Sequence, residues 1–127
     1  MTQIANRNID ISQSKVKDIL QIITNCTKSK IPQVRRSVAV NLKYLLKSIP
    51  KLQNDGLGFL KVLSSDHIDA IRINTVESII FQVYDQNTFT SIIWPLLKPL
   101  FEDSSWRVKY ACILQIGDVS LDSRLRD

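Results

Sequence analysis

Apolar residues recur along the chain at steps of three and four, the spacing of one buried face on an α-helix. Val16, Ile19, Leu20, Ile23 and Cys26 set the first such stripe, and Val34, Val38, Leu42, Leu45 and Ile49 set the second. The pattern then repeats. Val34-Arg35 aligns with Ile71-Arg72 and again with Val108-Lys109, each step being 37 residues. In the same register Leu20 falls on Leu57 and Trp94, Ile23 on Leu60 and Leu97, Cys26 on Leu63 and Leu100, and Leu42 on Ile79 and Ile116. Both flanks keep phase, so the period is structural and each unit reads as two helices.

The spacing predicts first helices over 15–28, 53–64 and 89–101, and second helices over 33–49, 70–84 and 106–119. Short turns join them at 28–32, 65–69 and 102–105, where Asp66 and Asp103 are placed to accept backbone donors. Pro32 suits a first helical turn, which needs no amide donor. Gly56 and Gly58 should weaken the second unit's first helix and delay its start until after Asn54-Asp55. Pro95 and Pro99 should kink the third unit's first helix or split it in two. A helix pair cannot bury both of its apolar faces alone, whereas stacked pairs form a continuous core. The expected fold is all-α: a solenoid, or superhelix, of three antiparallel helix pairs. One domain at 15–119 holds units at 15–50, 52–86 and 88–120, between tails at 1–14 and 121–127.

Composition narrows the function. The 127 residues are 44% hydrophobic and 23% charged, with only three Gly and four Pro, which leaves little room for a turn-rich β architecture. No apolar run approaches the ~18 residues of a membrane span, and residues 1–10 lack a signal peptide's apolar block. Two cysteines and one histidine make neither a disulfide framework nor a metal set. A cytoplasmic, or nuclear, protein without membrane association, metal or cofactor is expected. The net charge of +5 is uneven, since ten of the 17 basic residues lie between Arg7 and Lys51.

The turn segments carry a family resemblance. Asp66-His67-Ile68-Asp69-Ala70-Ile71-Arg72 has the Asp-x-x-x-x-Val/Ile-Arg form of HEAT repeats. Asp103-Ser104-Ser105-Trp106-Arg107-Val108-Lys109-Tyr110 resembles the Glu-Asp-x-x-Trp-Arg-Val-Arg-Tyr segments of the scaffold (A) subunits of protein phosphatase type 2A. Val34-Arg35-Arg36-Ser37-Val38-Ala39 is similar to the Val-Arg-Arg-Ala-Ala-Ala of that family, and Ile71-Arg72-Ile73-Asn74-Thr75-Val76-Glu77-Ser78 to its Val-Arg-Leu-x-Ala-Val-Glu-Ala. The likeness spans residues 15–116, and the unit order fits the family's N-terminal half. It departs at Ser29, which stands where the Asp would be. The resemblance implies a HEAT-type superhelix and a non-catalytic scaffold or regulatory protein. Its implied partners are phosphatase subunits, with a regulatory subunit held through the intra-repeat turns. The catalytic subunit's contacts belong to the family's later repeats.

Trp106 aligns with Pro32 and Asp69 and so stands at a turn, where an aromatic residue suits an interface hot spot. With Arg107, Asp103, Asp66, His67, Asp69, Lys30 and Arg36 it forms the expected partner-binding set. Arg35, Arg72 and Lys109 align, and are expected to form a structural ladder in which each Asp meets a neighbouring unit. Trp94, Cys26 and Cys112 are expected in the core, and His67 in solvent. No catalytic residue is expected: neither cysteine has a base at readable spacing, and no carboxylate pair has catalytic spacing. Asn25-Cys26-Thr27 matches a glycosylation acceptor but lies inside a helix. Arg36, Lys43 and Lys47 share one helix face, which reads either as the polar cap of an N-terminal unit or as a patch for an acidic partner or a nucleic-acid phosphate backbone. The apolar end of the third unit should be covered, either by self-association through that repeat or by further repeats of a longer parent.

Overall fold

The computed structural model describes residues 12–79 and 84–118. Every regular element among them is helical. The first pair is α1 (Gln13–Thr27) and α2 (Pro32–Ser48). The second is α3 (Gln53–Leu63) and α4 (Asp69–Glu77), entered through a tight turn at Pro50–Leu52. The third opens with a composite segment: α5 (Gln86–Thr88), a wide turn (Phe89–Ile93), α6 (Trp94–Leu97) and a tight turn (Lys98–Glu102). It closes with α7 (Trp106–Asp118). The expected 1–14 tail is shorter, because α1 begins at Gln13. Residues 1–11, 80–83 and 119–127, which include the C-terminal tail and Ile80, lie outside the described residues.

The pairs follow one another in chain order. The second helices form one layer, α4 lying between α2 and α7. In the other layer α1 packs on α3. Among the described residues the first pair has no extensive packing with the third, so the helices do not close into a bundle. The buried residues make one cluster running through all three pairs, with Leu42, Leu60, Ile71, Ile93 and Leu97 sealed within it.

Local chemistry explains the helix ends. Pro32 occupies the first turn of α2 after Ile31 in extended conformation. Pro95 and Pro99 lack the N–H that a regular helix needs four residues after Ser91 and Pro95. The chain answers with the wide turn before Pro95 and the tight turn containing Pro99, so the expected break appears as a change of helix type. Ile93 and Leu97, four residues apart, take the core line there. Trp94 is thereby displaced: it was expected in the core, yet it is 36% exposed and its ring lies 6.2 Å from that of Phe101. The second helix of the second unit, expected to reach residue 84, ends at Glu77. Thr75 and Val76 are stiff β-branched residues poorly suited to extending a helix, and the Ser78 hydroxyl is drawn to a carbonyl of α2.

The glycines differ from expectation. α3 starts at Gln53, ahead of Asn54-Asp55. Gly56 is buried, and a methyl group there would collide with the Leu46 side chain, itself only 2% exposed. Gly56 therefore permits the close approach of α3 to α2. Gly58 has open space where its Cβ would stand. The two positions should respond with opposite sign. In urea unfolding, Gly56→Ala should lower stability by about 1–2 kcal/mol through overpacking, while Gly58→Ala should raise it by about 0.5–1 kcal/mol through helix propensity. Stabilisation by both would refute the close approach.

Candidate functional site: the intra-repeat turns

Each turn is built around one side-chain oxygen. Ser29 Oγ accepts from the N–H of Ile31 at 3.1 Å, Asp66 Oδ1 from Ile68 at 3.0 Å, and Asp103 Oδ1 from Ser105 at 2.9 Å. These acceptors stand 37 residues apart, so Ser29 preserves the turn although it departs from the Asp pattern. Six residues on, an arginine returns to the turn: Arg35 Nη1 donates to the Ser29 carbonyl at 2.8 Å, and Arg72 Nη1 to the Asp66 carbonyl at 2.7 Å. The remaining edge of each guanidinium reaches the next unit. Arg35 donates from Nε to Asp66 Oδ2 at 2.7 Å and from Nη2 to Oδ1 at 3.3 Å. Arg72 meets Asp103 in the same way, both distances being 2.9 Å. The planar fork suits this two-point grip on a carboxylate.

The pairs are sheltered. Side-chain exposure is 11% and 7% for Arg35 and Asp66, and 14% and 10% for Arg72 and Asp103. Burial by itself would raise the Asp66 pKa, but the Arg35 hydrogen bond, the Ile68 N–H and the Arg35 charge together hold it below its ordinary value. Asp103 is likewise lowered: Arg72 and the Ser105 N–H outweigh burial, and Lys109 adds a favourable charge. Asp66 and Asp103, two of the three aspartates in the expected partner-binding set, are therefore engaged within the chain and turned away from solvent. Asp69, from the same set, accepts from Ser105 Oγ at 2.9 Å and ties the second turn to the third.

Other members of the set face outward. Lys30 is exposed, as is Ile31 beside it. The His67 ring is 81% exposed and stands 3.8 Å from Asp66. Trp106 is 70% exposed, with the Arg107 guanidinium 5.7 Å from its ring centroid, a cation–π arrangement. Lys109, aligned with the ladder arginines, has no ion pair among the described residues and is exposed. Arg36 differs from its expected role as an outward N-terminal cap. Its Nε donates to Asn74 Oδ1 at 3.1 Å, so it points along the stack toward the second unit. The physical reason is helix phase: Arg36 lies three residues before Ala39, which is fully buried and whose carbonyl meets Ser78 just past α4.

Two features escaped the sequence reading. The Ser78 hydroxyl donates to the Ala39 carbonyl, and one repeat on Gln115 Nε2 donates to the Ile79 carbonyl at 2.8 Å. The signal was present: Asn41, Ser78 and Gln115 occupy one repeat position and are all polar. The second feature is a pair of equivalent grooves between successive first helices. Leu20, Thr24, Gly58 and Phe59 help line a groove of about 340 Å³, and their repeat partners Leu57, Lys61, Pro95 and Leu96 help line one of about 450 Å³.

No group of three or more His, Cys, Asp or Glu side chains comes together to hold a metal ion among the described residues. No helix among them is long and apolar enough to cross a membrane. Cys112 is buried, and burial followed by the Asp103 charge pushes its thiol up to about 11, so it is protonated at neutral pH. Cys26 is only partly buried. Compared with known proteins, the chain matches no family model and no curated protein.

The ladder makes stability depend on acid. Because the folded-state pKa values of Asp66 and Asp103 lie below the ordinary 3.8, their contribution is complete above that value and is lost as pH falls through the lowered values. Asp103→Asn should cost about 2 kcal/mol at neutral pH, since it leaves a sheltered guanidinium without its carboxylate. Thermal melts from pH 7 to pH 2 should show a shallower acid loss in Asp66→Asn/Asp103→Asn than in the wild type. Parallel curves for the two proteins would refute the linkage.

Proposed function

We propose that the chain is a HEAT-type superhelical scaffold that binds protein partners through its intra-repeat turns, as a non-catalytic component of a type 2A serine/threonine phosphatase assembly. One observation carries the binding part of this reading. Two equivalent Arg–Asp bridges, Arg35–Asp66 and Arg72–Asp103, lock successive turns in register. Lys30 and His67, one repeat apart, and the Trp106–Arg107 pair in the third turn then stand as exposed groups along a ridge fixed by the fold. A partner meeting such a ridge finds its contact points preset, so little ordering entropy opposes binding. The phosphatase part rests on the Trp-Arg-Val-Lys-Tyr resemblance. A phosphatase regulatory subunit is the partner it suggests, and the cytoplasm or nucleus the compartment.

Nucleic-acid binding through the basic first unit is the weaker reading. Arg36 is tied to Asn74, and the Lys43 ammonium lies 5.1 Å from the Tyr44 ring centroid, which leaves a thin cluster of free cations. Duplex binding that falls steeply between about 50 and 200 mM salt would revive it.

Trp106 supplies the test. Its indole is mostly in solvent, so Trp106→Ala should leave the melting temperature nearly unchanged. Titration with a type 2A regulatory subunit should show binding weakened by more than ~2 kcal/mol if Trp106 is a hot spot. A melting temperature lowered by many degrees, or unaltered binding, would remove Trp106 from the interface.

A further inference from the structure

Successive units seat on one another through fixed positions of the second helix. On α2 these are Arg35, Arg36 and Ala39; on α4 they are Arg72, Ile73 and Val76, one repeat later. Ala39 and Val76 are both 0% exposed, the first beneath α4 and the second in the stack that α7 completes. Each arginine grips an aspartate from the following turn. On α7 the same positions are Lys109, Tyr110 and Ile113, and they lie open: Tyr110 is 56% and Ile113 59% exposed. Lys109 stands where each arginine meets the carboxylate of the following turn, and no described residue forms an ion pair with it; its charge bears only on Asp103, which Arg72 already grips.

We propose that this face of α7 is a docking surface for a helical hairpin of a partner protein that presents an acidic residue from its turn. The chain itself shows what such a hairpin must offer, because the second unit offers it to the first: a carboxylate at the place of Asp66, a polar side chain at the place of Asn74 and a polar donor at the place of Ser78. A second copy of the chain does not meet this requirement. Its first unit has Ser29 in place of the aspartate, between Lys28 and Lys30, both exposed, and would bring cations against Lys109.

The docking is separate from the turn ridge and is tested without altering Trp106. The probe is the full chain carrying Ser29→Asp, which supplies the missing carboxylate, and Ile113→Glu, which disables the probe's own α7 face. Both sites tolerate the change: Asp at that turn position already caps the later turns, and residue 113 is exposed. Circular dichroism melts confirm folding. Mixed with wild-type chain in sedimentation velocity runs, the probe should form a one-to-one complex. Lys109→Glu in the wild-type member should weaken that complex at least tenfold, and a probe with Ile113→Glu alone should bind at least tenfold less tightly. Equal binding by the two probes, or indifference to Lys109→Glu, would overturn the proposal. Dimerisation of the wild-type chain alone, untouched by Lys109→Glu, would overturn it in favour of a second copy.

Discussion

A single guanidinium holds two turns at once. Arg35 satisfies the carbonyl of its own turn with one amino group and grips the carboxylate of the next turn with its remaining edge. Arg72 does the same one repeat later. The aspartate in turn accepts the backbone N–H two residues on, so the bridge fixes the shape of the turn as well as its distance from the neighbour. These pairs are largely shielded, and charge pairs removed from water often add little net stability relative to apolar contacts. Their effect here is on register: a unit displaced by one helical turn would leave a sheltered charge unpaired, at far greater cost than a lost apolar contact.

The two helix layers divide the work. In the layer of second helices, side-chain to backbone bonds from Ser78 to Ala39 and from Gln115 to Ile79 reinforce apolar packing and bring neighbours into close contact. In the layer of first helices the contacts are thinner and leave the two equivalent grooves. Pro95 and Pro99 fall in this looser layer, where a change of helix type can be absorbed without opening the core. The close approach at Gly56 lies between the layers and joins the first unit to the second.

The first and third pairs also differ in what they offer a neighbour. Ser29 keeps the turn's cap but offers no carboxylate, whereas Lys109 has no ion pair among the described residues. The position that is sealed at Ala39 and Val76 stays open on α7 as Ile113. Turn ridge and α7 face are thus different surfaces made by one repeat: the first by residues that point away from the stack, the second by residues that elsewhere hold it together.

Periodicity alone determined the helix pairs, because burial of one face requires apolar residues at steps of three and four, and a 37-residue repeat carries that requirement from unit to unit. Alignment of Arg35 with Arg72 and Lys109, and of Asp66 with Asp103, implies a ladder; its Arg35 and Arg72 rungs are formed, whereas Lys109 has no ion pair among the described residues. Tertiary structure decided what pattern cannot encode. Which arginine nitrogen meets which oxygen depends on the angle between units, and so does the direction of Arg36, which points along the stack. The side-chain phase of Trp94 depends on a wide turn whose position is set by proline and by core volume together, and that turn moved the indole outward. Gly56 reads as a helix breaker in one dimension and becomes a contact point only when Leu46 is brought against it. Pattern fixes which face of a helix is buried; the neighbour that buries it fixes everything finer.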